Sequence, residues 1–240
     1  MKVASYNIHK CRGTDGAVRP HRIIDVIGEI DADVIALQEV DRRFGVKSRL
    51  LDPAAIHRAT GMHLLVQSDL PDSLGWHGNA LLVRQKPLSY RRSRLKLPGF
   101  EPRGAIVAEL DLGEGEFRVI AAHLGLFRRS RMDQADAILA AFNELPPMQT
   151  ILLGDLNEWR ERRGSALRVL EEAFDAGTSV RSFPSRRPFL ALDRIFGWPG
   201  GLVTDVAVHD SALARKASDH LPLTATVGVT AEVPTRRLAA

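Results

Sequence analysis

The sequence has a single cysteine, its aromatic residues make up only 6%, and its six lysines stand against 27 arginines. One cysteine excludes a disulfide framework and a thiolate zinc site, both of which need several thiols. No stretch approaches the roughly 18 to 20 apolar residues that span a bilayer. The start, Met1-Lys2-Val3-Ala4-Ser5-Tyr6-Asn7-Ile8, carries no basic leader with a long apolar run behind it. The expectation is a soluble, cytoplasmic protein. A large excess of one charge is also missing, since 33 Lys plus Arg against 29 Asp plus Glu leave a net charge of +4. With 45% hydrophobic residues, that balance excludes a disordered polyelectrolyte. No internal repeat or low-complexity linker divides the 240 residues. One domain over residues 1–229 with a frayed tail at 230–240 is expected, as a monomer.

What is present is a succession of short β-rich runs: Val3 to Ile8, Val34 to Leu37, His63 to Val66, Ala80 to Val83, Ala105 to Leu110, Phe117 to His123, Thr150 to Leu153, Leu190 to Phe196, Leu202 to Val208 and Leu223 to Val229. Helical spacing is found over Pro20 to Ile30, Pro53 to Thr60, Met132 to Glu144 and Ser165 to Phe174, with Pro20 and Pro53 where a first-turn proline is tolerated. About ten strands with about four helices fit neither an eightfold barrel nor a strictly alternating parallel sheet. Two packed sheets flanked by helices are the expected architecture.

The polar residues fall where apolar runs stop. Asn7 ends the first strand, Glu39 follows the second, His123 follows Val119-Ile120-Ala121-Ala122, and Asp155 and Asn157 follow Ile151-Leu152-Leu153-Gly154. Asp193 interrupts an apolar run, and Asp219-His220 precede the last strand. Singly, each has a structural explanation as a turn, cap or backbone-bonded residue. Together they form a chemical set at strand ends, where α/β proteins place ligand groups. A hard cation such as Mg²⁺ takes oxygen ligands, and Glu39 with Asn7 supplies a carboxylate and an amide oxygen if the first two strands are neighbours. Phosphoryl chemistry also needs a group that orients or deprotonates water and donors for the phosphate oxygens. Asp155, Asn157, His123 and His220 cover that list, with Asp193 or Asp219 to hold a histidine tautomer. A histidine in this role is expected to titrate between about pH 5 and 8.

The ordered segments Ser5-Tyr6-Asn7-Ile8-His9, Leu37-Gln38-Glu39-Val40, Gly78-Asn79-Ala80-Leu81, His123-Leu124, Gly154-Asp155-Leu156-Asn157, Leu192-Asp193-Arg194-Ile195 and Ser218-Asp219-His220-Leu221-Pro222 resemble the endonuclease/exonuclease/phosphatase superfamily of DNase I-like proteins, over about Met1 to Val229. The resemblance implies a four-layer α/β sandwich and a metal-dependent phosphodiesterase or phosphatase using Mg²⁺ or Mn²⁺. It makes Glu39 the principal metal ligand with Asn7 and Asp219 beside it, Asp155 the group that activates water, and Asn157 the one that positions water and phosphate. His220 would donate to the scissile phosphate with Asp193 orienting its ring, and His123 would contact the phosphate from the other side. The general base stays open between Asp155 and His220. Exonuclease III-type abasic-site endonucleases carry tyrosine at the position of His123, so the chain resembles the histidine-bearing branches.

Arginine clusters lie beside these residues in sequence: Arg128, Arg129 and Arg131 after His123; Arg160, Arg162 and Arg163 after Asn157; Arg186 and Arg187 before Asp193; Arg215 and Lys216 before Asp219. On a shared rim they would attract a polyanion, whereas Arg91, Arg92 and Arg94 fit a solvated strand edge. Asn79, Arg103 and Trp159 complete the candidate substrate contacts. The substrate stays open between a nucleic acid, DNA or RNA with abasic sites included, and a phospholipid headgroup or inositol phosphate. A non-catalytic polyanion-binding module is the competing class, and carboxylates at a phosphate site weigh against it.

Overall fold

The computed structural model describes residues 1–41, 50–65, 73–175 and 177–229. The first half runs β1 (Lys2–Asn7), α1 (Pro20–Ile30), β2 (Val34–Gln38), α2 (Pro53–Thr60), β3 (His63–Leu65), β4 (Ala80–Val83), β5 (Ser89–Leu97), β6 (Arg103–Asp111) and β7 (Glu116–His123). Then follow α3 (Arg128–Glu144), β8 (Thr150–Asp155), α4 (Ala166–Leu170), β9 (Asp193–Trp198), β10 (Val203–Val208), α5 (Ala214–Ala217) and β11 (Leu223–Val227). Val66 and the expected tail at 230–240 lie outside the described residues.

The strands form two mixed sheets, ordered β10-β11-β1-β2-β4-β3 and β5-β6-β7-β8-β9. β1 and β2 are parallel, as are β7 and β8, and the other neighbours are antiparallel. Alternate residues of one strand enter different cores, because successive side chains point to opposite faces. Val34 and Ala36 of β2 join Ile106, Val119, Ile151, Leu153 and Ile195 between the sheets. Ile35 and Leu37 face the other way, onto Ile23, Ile27 and Ile30 of α1. On the second sheet, Ile120 and Leu152 pack outward against Ile138 and Phe142 of α3 and Leu167 of α4. Three apolar layers therefore separate four structural ones, helices, sheet, sheet, helices, which is the expected α/β sandwich. The strands read as unbroken apolar runs because both faces are covered.

Local chemistry sets the helix ends. Pro20 and Pro53 open α1 and α2 as expected, and the Asp52 carboxylate accepts from the backbone N–H groups of Ala54 and Ala55 at 3.0 and 3.2 Å. Gly61, at φ 72°, closes α2 in the left-handed conformation that glycine adopts without strain.

Four elements depart from the sequence expectation. β5 is an added strand whose side chains are mostly exposed; it pairs only with β6, and its Arg91, Arg92, Arg94 and Lys96 are the charges that keep an edge from pairing further. α3 starts at Arg128, four residues before the expected Met132, so Arg128, Arg129 and Arg131 belong to its first turn. β9 starts at Asp193, which opens the strand instead of interrupting it, and Trp198 ends that strand, with its ring edge-on to Phe142. α4 stops at Leu170, short of Phe174, in a series of turns.

Candidate active site

The topology delivers the polar residues to one edge. Asn7, Glu39, His123 and Asp155 stand at the carboxyl ends of the parallel strands β1, β2, β7 and β8 or one residue beyond. Asn79, Arg103, Asp193 and His220 stand at or just before the starts of β4, β6, β9 and β11, which run the opposite way. Register completes the placement: Asp155 lies across from His123 on one side and Asp193 on the other. The two sheets meet chemically where Asn7 Nδ2 donates to Asp155 Oδ2 at 2.9 Å.

Asp155 is the hub and is 1% exposed. Its Oδ1 accepts the backbone N–H of Asn157 at 2.9 Å, and its Oδ2 lies 3.5 Å from His123 Nε2 and 3.7 Å from His220 Nε2. Burial, aided by the charge of Asp193, raises its carboxyl to about 6, against the charge of His220 and the hydrogen bonds from Asn7 and Asn157. The Asn157 side chain donates to the carbonyl of Leu124 at 2.9 Å, which fixes its amide beside the hub.

His220 Nδ1 and Asp193 Oδ2 are 2.9 Å apart, and Ser182 Oγ donates to the same carboxylate oxygen. Burial would pull the imidazole down, but Asp193 and Asp155 outweigh it and push His220 up to about 10. His220 therefore stays charged across the window in which the sequence expectation had it titrating, because two carboxylates face it. Phe183 packs against its ring at 4.7 Å between centroids. On the far side of the hub, Arg103 Nη1 lies 3.1 Å from His123 Nδ1, and Glu101 holds the same guanidinium at 2.9 Å.

Glu39 and Asp219 sit on the more open flank. Residues His9, Lys10 and Cys11 form a left-handed turn, at φ 44°, 53° and 59°, without a glycine among them. Such a run costs roughly 1 to 2 kcal/mol per residue. It sets the Lys10 ammonium on Glu39 and His9 Nδ1 3.4 Å from Asp219. Burial alone would raise the Glu39 carboxyl, but the hydrogen bond and charge of Lys10, with His9 and Arg103 nearby, hold it below the ordinary value. Glu39 and Asn157 are themselves left-handed, at φ 58° and 52°. Backbone strain therefore gathers where the site residues are.

Two groups of donors suit a metal differently. Glu39, Asp219 and Asn7 Oδ1, which accepts from His9 N–H at 3.0 Å, offer the oxygen donors that a hard divalent cation takes, and the Lys10 ammonium and the His9 ring already lie against the two carboxylates. Asp155, Asp193 and His220 have ligand atoms within 4.8 Å of one another, and Asp193 Oδ1 is buried without a hydrogen-bond partner. In that second group, however, the imidazole already pairs with a carboxylate, the arrangement of an oriented acid.

The remaining candidates are placed less centrally. Asn79 is buried and its Nδ2 donates to the carbonyls of Trp76 and Gly104, which leaves Oδ1 without a partner. Trp159 is 45% exposed with Arg160 over its ring, one residue past Glu158. The arginine clusters divide. Arg131 is buried on Glu158 at 3.1 Å, Arg194 pairs with Glu161 at 3.4 Å, and Arg215 is tied to Asp210 at 2.6 Å. Those are structural pairs, in which each guanidinium is matched by an acid. His9, Lys10, Glu101, Ser182 and Phe183 are site neighbours to which sequence reasoning assigned no role. The available signals were His9-Lys10 directly after Asn7-Ile8 and Glu101 two residues before Arg103.

A sequence profile described as the Endonuclease/Exonuclease/phosphatase family matches residues 4–220. The uncharacterized protein YbhP of Escherichia coli is 28% identical over 258 residues, covering 95% of this chain and 96% of that protein. Among solved structures, a functionally unknown conserved protein from Enterococcus faecalis superposes with a TM-score of 0.73 at 19% identity, covering 95% of this chain and 99% of that one. A mannosyl-6-phosphatase of Bacteroides thetaiotaomicron gives 0.70 at 18% identity, covering 95% and 100%. TDP2 of D. rerio, complexed with a single-strand DNA product, gives 0.69 at 18% identity, covering 95% and 99%. Among the described residues no helix is long and apolar enough to cross a membrane.

Proposed function

Because the chain belongs to the endonuclease/exonuclease/phosphatase family, we propose that it is a divalent-metal-dependent phosphoester hydrolase, acting on a phosphodiester at the edge where the two sheets meet. The observation that carries this reading is Asp155: a buried carboxylate bonded from both sheets, with a histidine on either side.

In this reading Asp155 takes a proton from the attacking water, which Asn157 helps to position. As the new P–O bond forms and the old one breaks, charge grows on the phosphoryl oxygens. His220, kept protonated by Asp193, donates to one of them, while His123 and Arg103 face the phosphate from the opposite side. The leaving oxygen takes its proton from solvent. Glu39, Asn7 and Asp219 would hold Mg²⁺ or Mn²⁺, which supplies charge neutralisation at the phosphate. The base is then Asp155 and not His220, because the carboxyl is ionised above about pH 6 whereas the imidazole stays protonated until about 10.

The test is hydrolysis of an activated phosphodiester with and without chelator, in the wild type and in Glu39→Gln and Asp155→Asn. The reading requires loss of rate in all three perturbations, with Mg²⁺ restoring the chelated wild type. An undiminished rate in either variant refutes the assignment of that residue. Parallel assays on plasmid, abasic oligonucleotide, phosphoinositide and sphingomyelin then separate the nucleic-acid and lipid-headgroup options. Turnover below background on all of these, with retained polyanion binding, would leave a binding module.

A further inference from the structure

One arginine cluster is not matched by acids. A cavity of about 290 Å³ opens on the loop that follows Asn157, lined by Arg128, Arg160, Arg162, Arg163, Glu158 and the Gly164-Ser165 turn. Its loop starts one residue past Asn157 and contains two acids, Glu158 and Glu161, and both are committed to other partners. Glu158 Oε2 neutralises the buried Arg131, its Oε1 accepts the backbone N–H of Arg160, and Glu161 faces Arg194. Among the described residues, none of the four lining arginines pairs with a carboxylate.

Two of the four are held in place. Arg128 Nε and Nη2 donate to the carbonyl of Gly164 at 3.1 and 2.6 Å. Gly164 allows this contact because a Cβ there would come 2.5 Å from Arg128 Nη2, on a backbone at φ 74°. Arg160 lies over the Trp159 ring, 5.4 Å from its centroid. Four arginines lining one cavity concentrate positive charge there, and guanidiniums have planar paired donors suited to an anion. An anionic guest neutralises that charge.

We infer that this pocket is a second anion subsite, which takes a phosphoryl group carried by the substrate beyond the one being hydrolysed. The inference rests on the phosphoester reading for its link to the substrate, and on the pocket alone for anion binding. The ligand chemistry is a phosphate next to the scissile one, either the following phosphodiester of a polynucleotide or a second phosphate on a small headgroup.

The binding test uses the protein in excess chelator, titrated calorimetrically with inorganic pyrophosphate. Replacing Arg162 and Arg163 together by glutamine should weaken pyrophosphate roughly tenfold or more, since two charge-assisted contacts are lost. Replacing Arg91 and Arg92 together by glutamine removes the same charge from β5 and should leave the affinity within about twofold, because neither residue lines the cavity and exposed charges are screened by salt. Equal weakening by both double variants, no effect of the first, or no binding by the wild type overturns the subsite. The kinetic arm compares KM for a dinucleotide with and without a 5′-phosphate, and for an inositol bisphosphate against its monophosphate. The pair whose KM ratio collapses in the Arg162→Gln, Arg163→Gln variant identifies the source of the second phosphate, and collapse of neither rejects the link to the substrate. If no ester is hydrolysed at all, the hydrolase reading fails while the pyrophosphate titration still decides the subsite.

Discussion

Replacing Gly154 by alanine should cost far more than an ordinary glycine substitution, and the excess can be worked from the β7–β8 pairing. Gly154 sits opposite Ala122, at φ 150°, and a Cβ built on it falls 1.8 Å from the Ala122 carbonyl oxygen and 2.8 Å from its carbon. Both atoms are backbone, so no side chain can swing aside. Relief requires the strands to part by roughly 1 Å or more, well past van der Waals contact. The left-handed backbone then costs about 1 to 3 kcal/mol, and each ladder hydrogen bond lost at the separation adds about 1 kcal/mol. The expected destabilisation is about 3 to 5 kcal/mol, in the range reserved for a named steric mechanism. Gly113→Ala is the control: its φ is 99°, but nothing lies within 4 Å of the built Cβ. It should show the backbone term alone, about 1 to 3 kcal/mol. Urea unfolding followed by circular dichroism, with matched m-values, measures both. Because Asp155 is the next residue, a shift of about 1 Å should also lower kcat about a hundredfold. Equal unfolding midpoints for the two variants, or a Gly154→Ala protein with wild-type rate, would refute the close-approach argument.

Other expectations follow from single contacts. Asp193→Asn keeps the shape but removes the charge that holds His220 protonated, so kcat should fall about 10²- to 10⁴-fold; some stability is lost with the buried pair, so steady-state kinetics at pH 7, under conditions where circular dichroism shows the variant folded, decide it. Glu109→Gln takes the charge partner from Arg118, which is 0% exposed and bonded to that carboxylate at 2.6 and 3.1 Å. The loss should be about 3 kcal/mol in urea unfolding, and Met at both positions should recover most of it. Asp15 is held well below the ordinary carboxyl value by the Arg22 guanidinium and the Ala17 N–H. Its contribution is thus present above about pH 4 and is lost as pH falls through the depressed folded value. The midpoint gap between wild type and Asp15→Asn should be open at pH 7 and narrow near pH 2, and a gap that does not change with pH would contradict the pairing.

Much of the architecture was legible because the sandwich buries both faces of most strands, which turns Val34 to Leu37 or Thr150 to Leu153 into recognisable apolar runs. β5 had no such run, since an outer strand with one neighbour keeps its charges in water. The start of α3 was hidden for a different reason: Phe127 at its N-cap makes no side-chain hydrogen bond, and three arginines in the first four residues resemble a loop. The site residues stood out where they ended strands. Ser182 and Phe183 did not, because they act from irregular segments whose approach to Asp193 and His220 is a tertiary fact, and Glu101 did not because it follows no apolar run, although it pairs with Arg103 only two residues on. The fates of the arginines were equally invisible, as Arg131 and Arg160 have similar sequence surroundings but opposite partners.

The Asn7–Asp155 bond also makes the middle of the molecule a calliper for the chemistry. One jaw is the six-stranded sheet carrying Asn7 and Glu39, and the other is the five-stranded sheet carrying His123, Asp155 and Asp193. Their spacing is set by what lies between, including the small residues Ala36 of the six-stranded sheet and Ala108 and Ala121 of the five-stranded one. A methyl group added there touches no substrate and no catalytic atom, yet it opens the jaws. In this fold, the thickness of the central apolar layer is itself an active-site dimension, and a change of catalytic rate can originate in an alanine that meets neither water nor phosphate.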